Sequence, residues 1–175
     1  MSEPIKQIFR FILFLLVQAL VLSNMPPLNR FVTPYLYMLF LIWLPFSVPR
    51  HWMLVLGFIT GFSLDLFTKT PGLHASASVF LAYIRTPFLR LLVPSDTKEL
   101  KTGSPGIRSM GLTSYAFFVL LLTFFHHVWL VFIEWMSFGD IVYFLGKVFF
   151  TTLTSLLLII ITELLFRPIR KRRAD

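Results

Sequence analysis

Hydrophobic residues along this chain form long runs that are separated by short connections, several of which contain proline. A helix needs about 20 mostly apolar residues to cross a bilayer. We predict six such spans, at about residues 8–22, 34–48, 52–67, 73–93, 112–136 and 141–166. Pro49 and Pro168 follow two of the predicted ends, because proline has no N–H to donate within a helix. The pattern predicts an all-α, polytopic protein that forms a single integral membrane domain.

One connection is longer than the others, the polar segment from about Asp96 to Met110. None of the connections is long enough for a soluble domain. The first span, flanked by Lys6 and Arg10, has the charged start of a signal peptide, but no clear A-x-A-type cleavage site follows it. We therefore interpret this span as an anchor that the protein retains.

The composition agrees with a membrane protein. Hydrophobic residues make up 57% of the chain and charged residues only 14%, whereas soluble domains have roughly 25% charged residues. So few polar groups cannot cover the surface of a water-soluble globule, and a disordered or collagen-like chain is excluded as well. The chain has no cysteine, which excludes disulfides, thiolate catalysis and zinc sites with cysteine ligands.

The net charge of +8 reports the orientation in the membrane. Twelve of the 16 Lys and Arg residues fall on one side of the predicted spans, while Arg30 and Lys69 are the two in the opposite loops. The twelve are Lys6, Arg10, Arg50, Arg90, Lys98, Lys101, Arg108, Arg167, Arg170, Lys171, Arg172 and Arg173. Because Lys and Arg accumulate in cytoplasmic loops, we expect both termini in the cytoplasm.

The basic tail of residues 167–175 follows the last span directly. A cluster of this kind often binds nucleic acid in soluble proteins, but next to a span it anchors the topology and contacts anionic lipid headgroups. Each charge near the membrane surface contributes about 1 kcal/mol to that contact. We expect a lipid anchor and no nucleic acid; a cytoplasmic protein partner is the alternative.

Gly57, Gly61 and Asp65 lie at intervals of four, so a helix places all three on one face. The two glycines form a GxxxG pattern, which allows close contact between helices. The contact can be with a partner or within the subunit, and the sequence leaves both open. Asp65 is expected either to serve a function or to sit at the membrane interface, neutralised by Lys69 one turn later.

Pro71 and Gly72 predict a tight reversal, after which His74 opens the next span. A hydrogen bond between Asp65 and His74 is therefore expected. Arg85 lies further along the same span, where an ionisable residue is costly and usually functional. The alternative, slightly favoured, is that its side chain extends to the inner interface.

Six ionisable residues fall in the predicted outer half: Asp65, His74, His126, His127, Glu134 and Lys147. We expect a polar pocket or a partner-binding surface, unless they are interfacial and unconnected. Adjacent histidines point about 100° apart on a helix, which does not suit one metal ion. The sequence has no H-E-x-x-H or G-x-S-x-G motif and no Walker or Rossmann fingerprint. We expect no catalytic site, metal or cofactor.

The segment from Gly57 to Arg85 reads G-F-I-T-G-F-S-L-D-L-F-T-K-T-P-G-L-H-A-S-A-S-V-F-L-A-Y-I-R. It resembles the signature of MreD, the family of small rod shape-determining membrane proteins of bacteria. The matching positions are Gly61, Asp65, Gly72, Leu73, His74, Ala75, Tyr83 and Arg85. The motif covers about a sixth of the chain, and the remainder matches in length, span count and hydropathy.

The resemblance implies a non-enzymatic scaffold of the cell-elongation machinery in the bacterial inner membrane, which controls cell shape and peptidoglycan synthesis. It implies MreC as the partner, with MreB, RodZ, RodA and the penicillin-binding partner of RodA. The implied fold is similar to the substrate-binding subunits of energy-coupling-factor vitamin transporters, and such a subunit is the alternative function. Many of those subunits have A-x-x-x-A in the first span, where this chain has Ala19 alone.

Overall fold

The computed structural model describes residues 3–25, 31–93, 103–136 and 139–166. Helices take up 80% of these residues and no strand occurs among them, which confirms the prediction of an all-α protein. The α-helices are α1 (Glu3–Leu16), α2 (Leu39–Trp43), α3 (Arg50–Thr68), α4 (Leu73–Leu92), α5 (Ile107–Met110), α6 (Leu112–Glu134) and α7 (Ile141–Phe166). A π-helical turn (Val17–Val21) and a 3₁₀ turn (Leu22–Asn24) extend α1.

Among the residues that the structure describes, four helices are long and apolar enough to cross a membrane: Pro4–Asn24, Arg50–Thr68, Leu112–Glu134 and Ile141–Phe166. Their outward faces expose large apolar side chains, among them Leu66 and Val142, which are 68% and 70% exposed. Apolar faces of this length indicate a membrane protein. The four spans agree with predicted spans 1, 3, 5 and 6 to within a few residues at most ends. Helix α4 follows the prediction for span 4 equally closely, but it carries Arg85 and Arg90.

The predicted helix at residues 34–48 is wrong. Residues 32–36 have no regular structure, Tyr37 and Met38 form a turn, and only Leu39–Trp43 is helical. Every residue from 35 to 44 is at most 7% exposed, because helices pack around the segment. An apolar run has the same appearance whether it faces lipid or is surrounded by protein. The sequence pattern therefore identified an apolar segment but predicted the wrong backbone for it.

Gln18 satisfies part of the non-helical backbone of this segment. Its side-chain oxygen accepts the backbone N–H of Leu36 at 2.7 Å, and its side-chain nitrogen donates to the carbonyl of Pro34 at 3.3 Å. Gln18 lies within the π-helical turn and is fully buried. Unpaired backbone groups are very costly at membrane depth. The side-chain amide of Gln18 therefore replaces the backbone partner that Leu36 and Pro34 would have in a helix.

Helix α7 supplies the other side-chain partners of the segment. Ser155 Oγ accepts the backbone N–H of Tyr35 at 2.9 Å, and Thr151 Oγ1 donates to the carbonyl of Phe31 at 3.1 Å. Non-helical backbone is tolerated at membrane depth where protein surrounds it. Hydroxyl groups on a helix that is otherwise strongly apolar therefore have a specific use here.

The segment follows α7 along most of its length. The ring of Phe31 lies beside Gly146 near the start of α7, where an added Cβ would come within 3.2 Å of it. The ring of Trp43 packs against Phe166 at the end of α7, with ring centroids 6.2 Å apart. Gly146 and Phe166 are about 30 Å apart along a helix with a rise of 1.5 Å per residue. This distance matches the hydrocarbon thickness of a bilayer.

We expect Gln18→Leu to lower the free energy of unfolding by about 1–3 kcal/mol, because the buried N–H of Leu36 loses its acceptor. Gln7→Leu on the same helix is the matched control, since the side-chain amide of Gln7 is buried and makes no hydrogen bond to any of the described residues. Its replacement should be neutral or stabilising. Unfolding midpoints in detergent measure both. Equal effects of the two substitutions would show that the Gln18 amide does not support the segment.

Candidate functional site

Gly57 and Gly61 pack against α4 within the chain. A Cβ at Gly57 would lie 2.9 Å from the carbonyl oxygen of Ser78, and a Cβ at Gly61 would lie 2.5 Å from the Cα of Ala75. Both distances are shorter than real Cβ contacts, so only glycine allows this approach. The GxxxG pattern could have contacted either a partner or another helix of the same subunit, and in the structure it contacts a helix of the same subunit. Helix α4 therefore covers this face.

Asp65 binds the first turn of α4. Its carboxylate accepts the backbone N–H groups of Gly72, His74 and Ala75 at 2.9–3.0 Å. The Thr70 hydroxyl donates to it at 3.1 Å. The first N–H groups of a helix have no partner within that helix, and a negative charge is favourable there. The buried carboxylate at the end of α3 therefore supplies the N-terminal acceptor for α4.

Two expectations about Asp65 are changed by this geometry. Its bond to His74 goes to the backbone N–H rather than to the imidazole. Lys69 is not among its hydrogen-bond partners. Lys69 has a φ of 57° in the left-handed region, where α3 has ended, so the one-turn spacing to Asp65 no longer brings the two side chains together. Asp65 is thus a structural acceptor at the α3–α4 turn.

A buried tyrosine connects two of the predicted site histidines. The Tyr37 hydroxyl lies 2.9 Å from Nε2 of His126 and 3.3 Å from Nδ1 of His74. Tyr37 and His126 are fully buried and His74 is 3% exposed. A hydroxyl has a single proton to donate, so one imidazole accepts that proton while the other donates to the hydroxyl oxygen. The group joins the non-helical segment to α4 and α6.

His127 contacts a different helix from its neighbour. Its Nδ1 lies 3.1 Å from the Thr152 hydroxyl and its Nε2 lies 3.5 Å from the Ser155 hydroxyl, both on α7. The ring of Tyr35 packs against both His127 and His74, with ring centroids 5.7 and 5.5 Å away. Within the described ranges, no three His, Asp or Glu side chains are grouped to hold a metal ion.

Tyr35 and Tyr37 are not among the site residues predicted from the sequence, although they connect the histidines. Both lie in the run that was predicted to be an ordinary apolar helix. The available signal was the pair of hydroxyl-bearing rings at positions 35 and 37, since buried tyrosine hydroxyls usually find a polar partner. We use the name tyrosine–histidine cluster for Tyr35, Tyr37, His74, His126 and His127.

Glu134 and Lys147 form a separate ion pair between the end of α6 and the start of α7. Lys147 Nζ lies 2.6 Å from Glu134 Oε1 and 5.7 Å from the centroid of the Tyr143 ring. A cavity of about 280 Å³ opens beside this pair. The six residues predicted for the outer half thus fall into the Asp65 cap, the tyrosine–histidine cluster and this ion pair.

Arg85 is buried in the interior, at 1% exposure. Its guanidinium donates to the carbonyl of Leu44 at the end of α2, and it lies 3.8 Å from the sulfur of Met53. The expectation that its side chain extends to the inner interface is therefore wrong. Tyr83 is 52% exposed instead, and the guanidinium of Arg50 stacks 4.6 Å above its ring.

A second polar group lies at the opposite end of the bundle. Trp43 Nε1 donates to the Tyr115 hydroxyl at 3.0 Å, and that hydroxyl donates to Glu163 at 2.9 Å. None of these three residues is among the site residues predicted from the sequence. The predicted basic anchor, which comprises Arg167, Arg170, Lys171, Arg172 and Arg173, lies outside the described residues, as do Arg30, Lys98 and Lys101.

No protein-family model matches the chain, and no curated protein or solved structure shows significant similarity to it. The arrangement of residues is therefore what points to a function. That arrangement has many of its polar residues in buried groups, such as the tyrosine–histidine cluster, and many large apolar side chains on the outward faces of the helices. Such a protein presents mainly apolar helix surfaces to its surroundings.

Proposed function

We propose that this chain is a non-enzymatic membrane scaffold of the bacterial cell-elongation complex, similar to MreD, with MreC as its partner. The observation that supports it most is that the residues of the signature make the contacts between helices. Gly61, Asp65 and His74 hold the α3–α4 pair together, and Arg85 attaches that pair to the end of α2. The segment that carries the resemblance is thus a rigid structural unit.

The burial of the tyrosine–histidine cluster argues against catalysis. Tyr37, His126 and His127 are fully buried, and their hydroxyl and imidazole groups bond to one another or to α7. A substrate would have to reach such groups before they could act as acid, base or nucleophile. A scaffold has no such requirement. The cluster then serves to fix the relative positions of α4, α6 and the non-helical segment.

The proposed topology has six crossings with both termini in the cytoplasm. The second crossing is the segment at residues 31–44, which follows α7 over about 30 Å, and the fourth is α4. The asymmetry of Lys and Arg supports this orientation. The basic tail then lies at the cytoplasmic surface, where anionic headgroups, MreB, RodZ, RodA and the penicillin-binding partner of RodA are within reach.

A partner helix would pack on an outward face rather than on the glycines. Helix α4 occupies the Gly57–Gly61 face, whereas apolar side chains on the other helices remain exposed, among them Phe149 at 62%. Contacts between transmembrane helices depend on van der Waals packing. We therefore place the binding surface for the single-span partner on these outward faces.

Affinity purification from the native membrane in mild detergent tests this function directly. We expect a single-span protein with a coiled-coil domain to co-purify, together with components of the elongation machinery. An ATP-binding energising module in its place would contradict the scaffold and favour the transporter subunit. A thermal-shift screen with vitamins gives an independent measurement, and we expect no stabilisation, because a scaffold needs no vitamin site.

A further inference from the structure

The cavity between the end of α6 and the start of α7 has features that the scaffold function does not use. It measures about 280 Å³ and is lined by polar and aromatic side chains, including Glu134, Trp135, Asp140, Tyr143 and Lys147. Pockets for drug-sized ligands usually occupy about 300–1,000 Å³. The size therefore suits a small polar group, and we propose that the cavity binds the ammonium headgroup of an aminophospholipid such as phosphatidylethanolamine.

The accessible charge in the cavity is negative. The Lys147 side chain is only 8% exposed and is held by Glu134, whose own side chain is 42% exposed. Asp140 is exposed and bonds to the N–H of Val142 through one carboxylate oxygen. Two carboxylates and one buried ammonium thus line the cavity, which leaves a surplus of one negative charge among its lining residues. A cation is the complementary ligand.

The aromatic walls support the same ligand class. Trp135 and Tyr143 line the cavity together with the carboxylates, and aromatic faces attract cations through their quadrupoles. A primary ammonium can also donate hydrogen bonds to Glu134 and Asp140. A trimethylammonium group has no N–H to donate and is bulkier. The site should therefore prefer ethanolamine headgroups over choline headgroups.

The position of the cavity indicates a lipid rather than a soluble amine. It lies where two candidate membrane spans end, and such ends lie near the headgroup region, where Trp and Tyr are enriched. Val142 and Leu145 lie in the first turns of α7, close in sequence to the cavity residues, and their side chains are 70% and 59% exposed. An acyl chain can lie against these side chains while its headgroup occupies the cavity. A soluble amine would gain nothing from that apolar surface.

Native mass spectrometry of protein taken from vesicles of phosphatidylethanolamine, phosphatidylcholine and phosphatidylglycerol in equal parts tests this site. We expect the wild-type protein to retain phosphatidylethanolamine over phosphatidylcholine. Glu134→Gln and Asp140→Asn should each lower that preference about fivefold, which is the effect of losing roughly 1 kcal/mol. Both replacements keep a hydrogen-bond acceptor, and Asn still caps a helix.

Glu163→Gln is the matched control, because it removes the same charge at the opposite end of the bundle, where Glu163 accepts from Tyr115. It should leave the lipid preference unchanged. Equal preferences in the wild type and both cavity variants would overturn the proposal, as would an equal loss in the control. Displacement of the lipid by free phosphoethanolamine at the same concentration would overturn the assignment to a lipid.

Discussion

Gly61→Ala should destabilise this protein by about 3 kcal/mol or more, at the upper end of what overpacking costs. The new Cβ would lie 2.5 Å from the Cα of Ala75, and it would also overlap the His74 carbonyl. Both obstacles are backbone atoms, which cannot rotate aside as a side chain can. Helices α3 and α4 would have to separate, and the Asp65 cap would separate with them.

The sign of the effect makes this test decisive. In a helix that packs loosely, replacing Gly by Ala stabilises by about 1 kcal/mol, because alanine has the higher helix propensity. Gly57→Ala should be intermediate, since its nearest obstacle, the Ser78 carbonyl oxygen, is 2.9 Å away. Gly139→Ala is the control for an uncrowded substitution, because Gly139 lies outside a helix and its nearest neighbour is 4.0 Å away. Unfolding midpoints in detergent give the order, and a stabilised Gly61→Ala would contradict the close packing of α3 on α4.

The α3–α4 pair shows how far sequence reasoning reaches. The i, i+4 spacing of Gly57 and Gly61 correctly indicates a close contact, because helical geometry alone places them on one face. It does not identify the surface they contact. That surface is set by the turn at Gly72, whose φ of 87° favours glycine and which brings α4 back along α3. A pattern on one helix therefore predicts the kind of contact and not its partner.

The segment at residues 31–44 is where sequence reasoning fails. Hydropathy measures how apolar a run is, and a segment buried among helices is as apolar as one that faces lipid. Its backbone is determined by side chains far away in the sequence, namely Gln18 and Ser155. Pro45, inside the predicted span, was the local signal against a continuous helix, because the residue before a proline is disfavoured in α conformation; α2 has ended at Leu44, whose ψ is 145°.

For the polar residues, too, the sequence predicts one property, the depth in the bundle, and not another, the bonding partner. Chain order and helix rise were sufficient to place Asp65, His74 and Glu134 at one end of the bundle, since depth follows from the position within a span. Their bonding partners depend on how each helix is rotated about its axis, which packing alone determines. Tyr37, from the segment that was predicted wrongly, connects His74 to His126. The cluster could not be assembled without it.

Asp65→Ala should be the other strongly destabilising change, because two buried and two partly buried donors would lose their acceptor at once. Its carboxylate accepts three backbone N–H groups and one hydroxyl, and each buried donor left unsatisfied costs about 1–3 kcal/mol. These costs do not add fully, since water can reach the turn when it loosens. We expect a loss of about 3–5 kcal/mol, and a smaller loss for Asp65→Asn, which keeps one oxygen.

Asp140→Ala is the control that separates the effect of burying a carboxylate from the effect of capping a helix. Asp140 also accepts an N–H at the start of a helix, from Val142 at 2.8 Å, but it does so at an exposed position. Water can replace it, so the cost should be about 1 kcal/mol. Equal losses in unfolding midpoint for Asp65→Ala and Asp140→Ala would contradict the buried cap.

Co-purification distinguishes a structural role of Asp65 from a role in partner binding. A folded Asp65→Asn variant that has lost the partner would show that Asp65 contributes to binding directly. Retention of the partner by that variant is the expected result, since a carboxylate that already accepts four hydrogen bonds inside the chain has little capacity left for another protein.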